Sequence, residues 1–332
     1  MGNSSILGRS IVTVGGGTGV PIVLRGLVDY PVRLSSICTT FDNGGSTGRI
    51  RREFGNALPQ GDIRRCMHAL ARDAPVRDLL EHRLNGDGEG ITGHTVGNIL
   101  LLAAEQKYGV MDGIRVMSRI LELRGDVIPV STDTTHLMGK LSDGEILEGE
   151  DRLDTRPIED DRTLTQVWLK DRAFVCREAA DAIERADLIV IGPGDLYTSL
   201  IPNLLVEGMA EAFARSKGRL VYIVDLMTKW AETRGFSAYD FVDQLFQYGI
   251  GRDALDAVLL NRAHIPDGVL AAYREKERSL PVAADEGTLE RLRPRCCRVV
   301  SGDFLSGEAL KHGLVRHDSA KLGRLIMGVL GD

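Results

Sequence analysis

The chain has 332 residues, 43% hydrophobic and 27% charged, an ordinary globular balance that fits one large α/β domain or two small ones. A net charge of −6 argues against general nucleic-acid or anionic-membrane binding. No apolar run approaches the roughly 20 residues of a membrane-spanning helix, and the N-terminus lacks the apolar core of a signal peptide.

The first predicted unit is residues 10–28. A β-branched apolar run ends in Gly15, Gly16, Gly17, Thr18 and Gly19, and a helix follows with Pro21 in its first turn. Strand, glycine turn and helix N-terminus together suit a phosphate, because free amides and the positive dipole end face the turn. The dinucleotide fingerprint is broken, with Val20 where a third spaced glycine belongs. That weakens a nicotinamide-dehydrogenase reading and leaves a purely structural tight turn open.

A second strand over 32–40 runs into Asp42, Asn43, Gly44, Gly45, Ser46, Thr47, Gly48 and Arg49. This loop offers a carboxylate, an amide, hydroxyls and amide donors. It can hold a phosphate, or a metal through Asp42, or it can be a surface turn before a basic helix. Asp42 also lies near the offset of the ribose-binding acid of dinucleotide folds. Next, Asp62 either caps the following helix or ligates, and Arg64 and Arg65 near that helix start favour an anion nearby. Residues 84–92 read as a loop. His94 and Asn98 open an apolar helix, with His94 facing either a ligand or an ordinary hydrogen-bond partner.

Residues 112–123 have helical spacing and 127–130 read as a strand. Residues 136–150 alternate around Ser142-Asp143-Gly144 as a hairpin. Residues 151–162 are dense in opposed charge and read as a solvated excursion, and 165–169 as another strand. A second strand, glycine turn and helix unit runs through residues 187–214, with Gly192, Gly194, Tyr197 and Thr198 at its turn. Strands over 220–224 and 257–260 follow, the latter ending in Asn261 and Arg262. A charged helix surrounds Tyr273, short strands lie near Val282 and Val299, and Asp318 or Ser319 can cap a last helix over 320–330. The pattern predicts a doubly wound, mostly parallel Rossmann-like sheet, three-layer α/β/α, in one domain over residues 1–332 with a small antiparallel excursion at 136–170. Two glycine turns at strand ends would then share one sheet edge, where open α/β folds bind ligands. The five scattered cysteines, with no Cys-x-x-Cys pair, argue against a disulfide framework and point to a reducing cytoplasm.

Taken in order, Gly15-Gly16-Gly17-Thr18-Gly19, Asp42 to Arg49, Gly61-Asp62-Ile63-Arg64, His94 with Gly97-Asn98, and Gly192-Pro193-Gly194 with Tyr197-Thr198 resemble the gluconeogenesis factors, or YvcK-like proteins. These belong to the superfamily that contains 2-phospho-L-lactate transferase. Leu226-Met227-Thr228, Glu232-Thr233 and Val315-Arg316-His317-Asp318 extend the resemblance almost to the end. It implies a cytoplasmic Rossmann-like protein linked to cell shape and cell-wall growth on gluconeogenic carbon, binding UDP-sugars such as UDP-N-acetylglucosamine. The transferase branch moves a phospholactyl group from a guanosine diphosphate carrier to a deazaflavin with magnesium, which makes Asp42 and Asp62 the candidate Mg²⁺ positions. The resemblance also suggests Tyr273 and Arg316 as ligand contacts. Asp195 stands where a small residue is expected, Lys229 where glutamine or similar is expected, and residues 151–162 look unlike the family average. The expected ligand is a UDP-sugar or another nucleoside diphosphate, held between the 15–19 and 44–48 loops, with Asn261 and Arg262 near base or ribose. A regulatory protein partner and a homodimer complete the expectation.

Overall fold

The structure is a computed structural model that describes residues 7–55, 57–86 and 90–331. Residues 1–6, on which the signal-peptide expectation bears, and residues 87–89 of the expected loop lie outside the described residues.

Among the described residues, ten strands form two sheets. They are β1 (Ser10–Gly15), β2 (Arg33–Cys38), β3 (Asp126–Pro129), β4 (Leu137–Leu141), β5 (Ile146–Glu148), β6 (Leu164–Leu169), β7 (Leu188–Ile191), β8 (Arg219–Ile223), β9 (Ala257–Asn261) and β10 (Arg298–Gly302). The large sheet has the order β10-β9-β8-β7-β1-β2-β3, and every pair in it is parallel. β1 winds outward to β2 and β3, while β7 winds the other way to β8, β9 and β10. The switch point therefore lies between β1 and β7, whose neighbouring carboxyl ends leave a crevice.

The central strands β7, β8 and β9 are nearly all apolar and buried because both sheet faces are covered. Successive residues point to opposite faces. Val12, Val14, Ile189 and Ile191 thus enter one core, and Ile11, Leu188 and Val190 the other. Seven helices matter for the site: α1 (Gly19–Leu27), α2 (Gly45–Phe54), α3 (Gly61–Leu70), α4 (Ala74–Glu81), α5 (Val96–Tyr108), α6 (Val110–Ile120) and α7 (Glu150–Asp154). No helix among the described residues is long and apolar enough to cross a membrane.

The expected excursion is a three-stranded antiparallel sheet in the order β5-β4-β6, and the hairpin turns at Ser142–Gly144 with Gly144 N donating to Leu141 O at 2.9 Å. Three local expectations are corrected. The helix expected over 204–214 is two helices, Ile201–Leu204 and Met209–Arg215. Between them the backbone of Glu207 pairs with Ala173 and Val175 at 2.9 Å each, and Gly208 turns at φ +94°. The strand expected near Val282 is a lone segment, in which Val282 N donates to Leu226 O at 3.1 Å. The charged stretch is not merely solvated, since its first residues form α7 and enter the site described next.

Candidate functional site

Three helix N-termini meet at the switch point. The turn from β1 to α1 carries Gly15, Gly16, Gly17 and Thr18. A Cβ on Gly16 would collide with Asp62 and Thr39, and one on Gly19 with the Pro193 carbonyl, so bare backbone is required where these turns touch. Gly15 and Gly192 close the floor, where a Cβ on either would meet Leu200. Gly17 N donates to Asp62 Oδ1 at 2.9 Å, and Arg65 donates to the same oxygen at 2.6 Å. Asp62 is therefore not the cap of α3. Gln60 holds that position, and Asp62 sits in the first turn and ties α3 to the α1 turn. The amides of Thr18 and Gly19 take no protein partner among the described residues.

The loop after β2 folds beside this turn. Asp42 Oδ1 accepts the Gly44 amide at 2.8 Å, which fixes the entry to α2. Gly44, Gly45, Ser46 and Thr47 face a cavity of about 410 Å³ that also meets Gly17, Asp42, Asp62, Arg64 and Asn98. Thr18, Asp195 and Thr198 line it as well. Three expected residues stand behind this wall rather than on it. Asn43 Oδ1 accepts Asp151 N at 2.9 Å, His94 Nδ1 lies 2.8 Å from Ser46 Oγ, and Arg49 donates to Thr92 O at 3.0 Å. Asn98 donates to Ser46 Oγ at 2.9 Å and accepts from Arg64 Nε at 2.9 Å, so it orients both. Arg64 is further held in an ion pair with Glu81.

Gly17, Thr18 and Asp195 also border a second cavity of about 340 Å³. Gly19, Gly194, Lys229, Tyr273 and Arg316 line it. Asn261 and Arg262 are found around a third, of about 260 Å³, which shares Asp225 and Leu226 with the second. Asn261 spends both ends of its amide on the chain, to Ala263 O at 3.1 Å and from Phe304 N at 2.9 Å, and Arg262 pairs with Glu286 at 2.9 Å. Tyr197 borders none of the three. Its buried ring packs edge-on to Phe236 and Tyr248, and its hydroxyl donates to Gln244 at 2.8 Å.

The second glycine turn differs from the first. After β7 the chain enters a π-helical turn at Leu196–Leu200, whose first amides are already capped. The carboxylate of Glu232 accepts from Tyr197 N at 2.8 Å, Thr198 N at 3.2 Å and Thr198 Oγ1 at 2.9 Å. Asp225 Oδ1 takes Gly194 N at 3.1 Å. An anion at the switch point is thus left the α1 and α2 amides.

Acids dominate the first cavity. Burial pushes Asp62 up to about 6, with Arg65 opposing and Asp42 adding to the rise. Glu150, on α7, is pushed up to about 9 by burial and by Asp42, then Asp154, Glu232 and Asp62. Glu150, Asp154 and Glu232 were not expected in the site from sequence, while Arg65, expected beside Arg64 to favour an anion, donates to Asp62. A pair of acids four apart at 150 and 154 is the only local signal, and it is indistinguishable from a solvated helix face. Glu150 yields the first prediction. A carboxyl whose pKa rises on folding contributes stability that is full below its unfolded value, about 4.5, and lost as pH climbs to about 9. Glu150→Gln should therefore melt with wild type near pH 4 and above it at pH 9 in EDTA. The gap should be about 1–3 kcal/mol, the size of a typical buried-charge effect. Superimposable melting-temperature profiles across that range would contradict the burial of this group.

Asp42 and Asp62 each keep an oxygen outside the hydrogen bonds described. Mg²⁺ retains several waters and needs only one or two carboxylates plus phosphate, so the pair fits it. When bound there, the ion would neutralise phosphate charge. Among the described residues, one set of three acidic side chains brings ligand oxygens within 4.8 Å of one another, and it is a different one: Asp154, Asp195 and Glu232.

The chain matches the family model for the 2-phospho-L-lactate transferase CofD over residues 11–305. It is 37% identical to a gluconeogenesis factor of Halalkalibacterium halodurans over 96% of both chains. A gluconeogenesis factor of Bacillus subtilis is 36% identical, covering 96% of this chain and 98% of that one. A crystal structure of a Bacillus halodurans protein superposes with a TM-score of 0.88 at 36% identity, covering 96% of this chain and 99% of the other. A second, described as a member of the upf0052 family, gives 0.87 over 97% of this chain. The glycine turns, the acids they oppose and these matches agree: the chain belongs to the CofD family, among its gluconeogenesis factors.

Proposed function

We propose that the protein binds a nucleoside diphosphate carrying a sugar, with a UDP-sugar such as UDP-N-acetylglucosamine as its ligand, and acts as a regulator rather than through turnover. The observation that carries this reading is the junction of two cavities at Gly17 and Thr18, beside the amides of Thr18 and Gly19, which take no partner among the described residues. A diphosphate placed there faces the N-termini of α1 and α2. The nucleoside then extends into the second cavity, toward Tyr273 and Arg316. The first cavity, rich in carboxylates and side-chain amides, suits the hydroxyl donors of a sugar. Each charge-assisted hydrogen bond contributes about 1.5–3 kcal/mol, so a few of them reach micromolar affinity, about −8 kcal/mol. In this picture the chain works in the cytoplasm. It reports nucleotide-sugar supply to a protein partner that governs cell shape and wall growth on gluconeogenic carbon.

The second reading is a Mg²⁺-dependent transfer of a phospholactyl-type group from a nucleoside-diphosphate carrier. The Asp42–Asp62 pair favours it, because positioned charge next to phosphate is most of what such chemistry needs. Calorimetric titration with UDP-N-acetylglucosamine, GDP and NAD, with Mg²⁺ and with EDTA, separates the two. The regulator reading expects micromolar, metal-indifferent binding of the UDP-sugar alone. Binding of GDP only in Mg²⁺ would overturn it in favour of transfer.

A further inference from the structure

Lys229 stands at the wall between the two large cavities. Its Nζ lies 2.8 Å from Asp195 Oδ2 and 3.3 Å from Glu232 Oε1, and it forms an ion pair with Asp154. The three acids reach it from separate parts of the fold: α7, the turn after β7, and the segment after β8. Three carboxylates with oxygens within 4.8 Å cannot all stay ionised without a cation among them. An ammonium supplies one charge and three donors, enough to satisfy one oxygen from each acid.

We propose that Lys229 is a resident cation, standing where Asp154, Asp195 and Glu232 would otherwise hold a divalent metal, so that ligand binding at the cavity junction needs no metal at this point. Two residues singled out as departures from the family pattern, Asp195 and Lys229, thus pair with each other, and the third partner, Asp154, comes from the divergent segment. The same segment is tied down beside Lys229. Arg156 bonds Ala231 O, and Trp230 Nε1 donates to Asp160 O at 3.1 Å. Lys229 lines the second cavity and offsets part of the wall's negative charge. With Lys229 in place, one of the three carboxylate charges is offset, which lessens the repulsion of a diphosphate seated over Gly17 and Thr18. Without it, the same three oxygens form a hard, oxygen-only site of the kind Mg²⁺ and Mn²⁺ occupy.

The test uses the full chain and Mn²⁺ alone, read by calorimetry and by the melting temperature. Lys229→Gln should bind one more Mn²⁺ per chain than wild type, and adding Asp195→Asn should remove that extra site. Mn²⁺ should also raise the melting temperature of Lys229→Gln more than that of wild type, since any binding at Asp42 and Asp62 is common to both. A purely structural lysine would lower stability without creating a metal site. No additional Mn²⁺ in a folded Lys229→Gln chain overturns the proposal, as does a variant that stays unfolded with and without Mn²⁺. A second arm rests on the nucleoside-diphosphate reading. UDP-N-acetylglucosamine affinity should change less than twofold between EDTA and Mg²⁺ in wild type, and fall at least tenfold in EDTA for Lys229→Gln. If no nucleotide binds at all, that reading fails while the Mn²⁺ result still decides the role of Lys229.

Discussion

Glu232→Ala is expected to be the most damaging single substitution in the site, lowering stability by about 3–5 kcal/mol, the range for breaking a buried charge network. Glu232 is buried to 4% exposure and takes three hydrogen bonds from Tyr197 and Thr198, besides its ion pair with Lys229. Truncation strands two buried amides, each costing about 1–3 kcal/mol when unmade. Burial pushes this carboxyl up to about 7, with the Lys229 charge opposing, so removing it also removes an unfavourable burial and the loss stays below the sum of its contacts. A thermal melt is the check. At about 1.4 °C per kcal/mol, from an unfolding entropy of ~2.1 cal/mol/K per residue over a chain of this length, the midpoint should drop by roughly 5 °C. Glu232→Gln keeps an acceptor for the amides and should lose about half as much. A drop of under about 2 °C for the alanine variant would show that the π-helical turn needs no cap.

Gly19→Ala should separate the two glycine turns and weaken ligand binding together with stability. A Cβ at this position would overlap the Pro193 carbonyl, which is backbone and cannot rotate away. The opposing turn is pinned at both ends, by Gly192 N to Val14 O at 3.0 Å and by Gly194 N to Asp225 at 3.1 Å. The chain must therefore shift α1, and with it the amides of Thr18 and Gly19. Overpacking of this kind costs about 1–3 kcal/mol or more, and on the proposed nucleotide-sugar reading UDP-sugar affinity should fall at least tenfold, about 1.4 kcal/mol. Gly268→Ala is the control, since it lies in the first turn of the helix Asp267–Glu277 and a Cβ there meets nothing within 4 Å. It should be neutral or stabilising by up to about 1 kcal/mol. Unchanged melting and unchanged affinity for Gly19→Ala would mean that the turns do not rely on contact between bare backbones.

The sheet was legible because its evidence is local. The runs at 10–15, 188–191 and 219–223 are apolar without alternation, as strands covered on both faces must be, and each ends in a glycine or polar tip. Both glycine turns, the 42–49 loop and the last helix could be placed from neighbouring residues alone, and Asp318 does accept Lys321 N at 2.9 Å at that helix start. Asp42, Asp62, Gly17 and Ser46 were brought together as the turn chemistry suggested. Tyr197 was drawn by its motif toward the ligand, yet its ring belongs to the aromatic core, because sequence position does not say which way a side chain points from a π-helical turn.

The sequence by itself determined the class of fold, the two turns at one sheet edge and the family, since each depends on short stretches of chain and their order. The tertiary structure alone decided the charge of the site. Glu150, Asp154, Asp195, Lys229 and Glu232 come from segments up to 82 residues apart, and nothing near each of them along the chain says that they meet. Their coupling depends on distance and burial, which appear only when the excursion folds back over the switch point and removes those side chains from water.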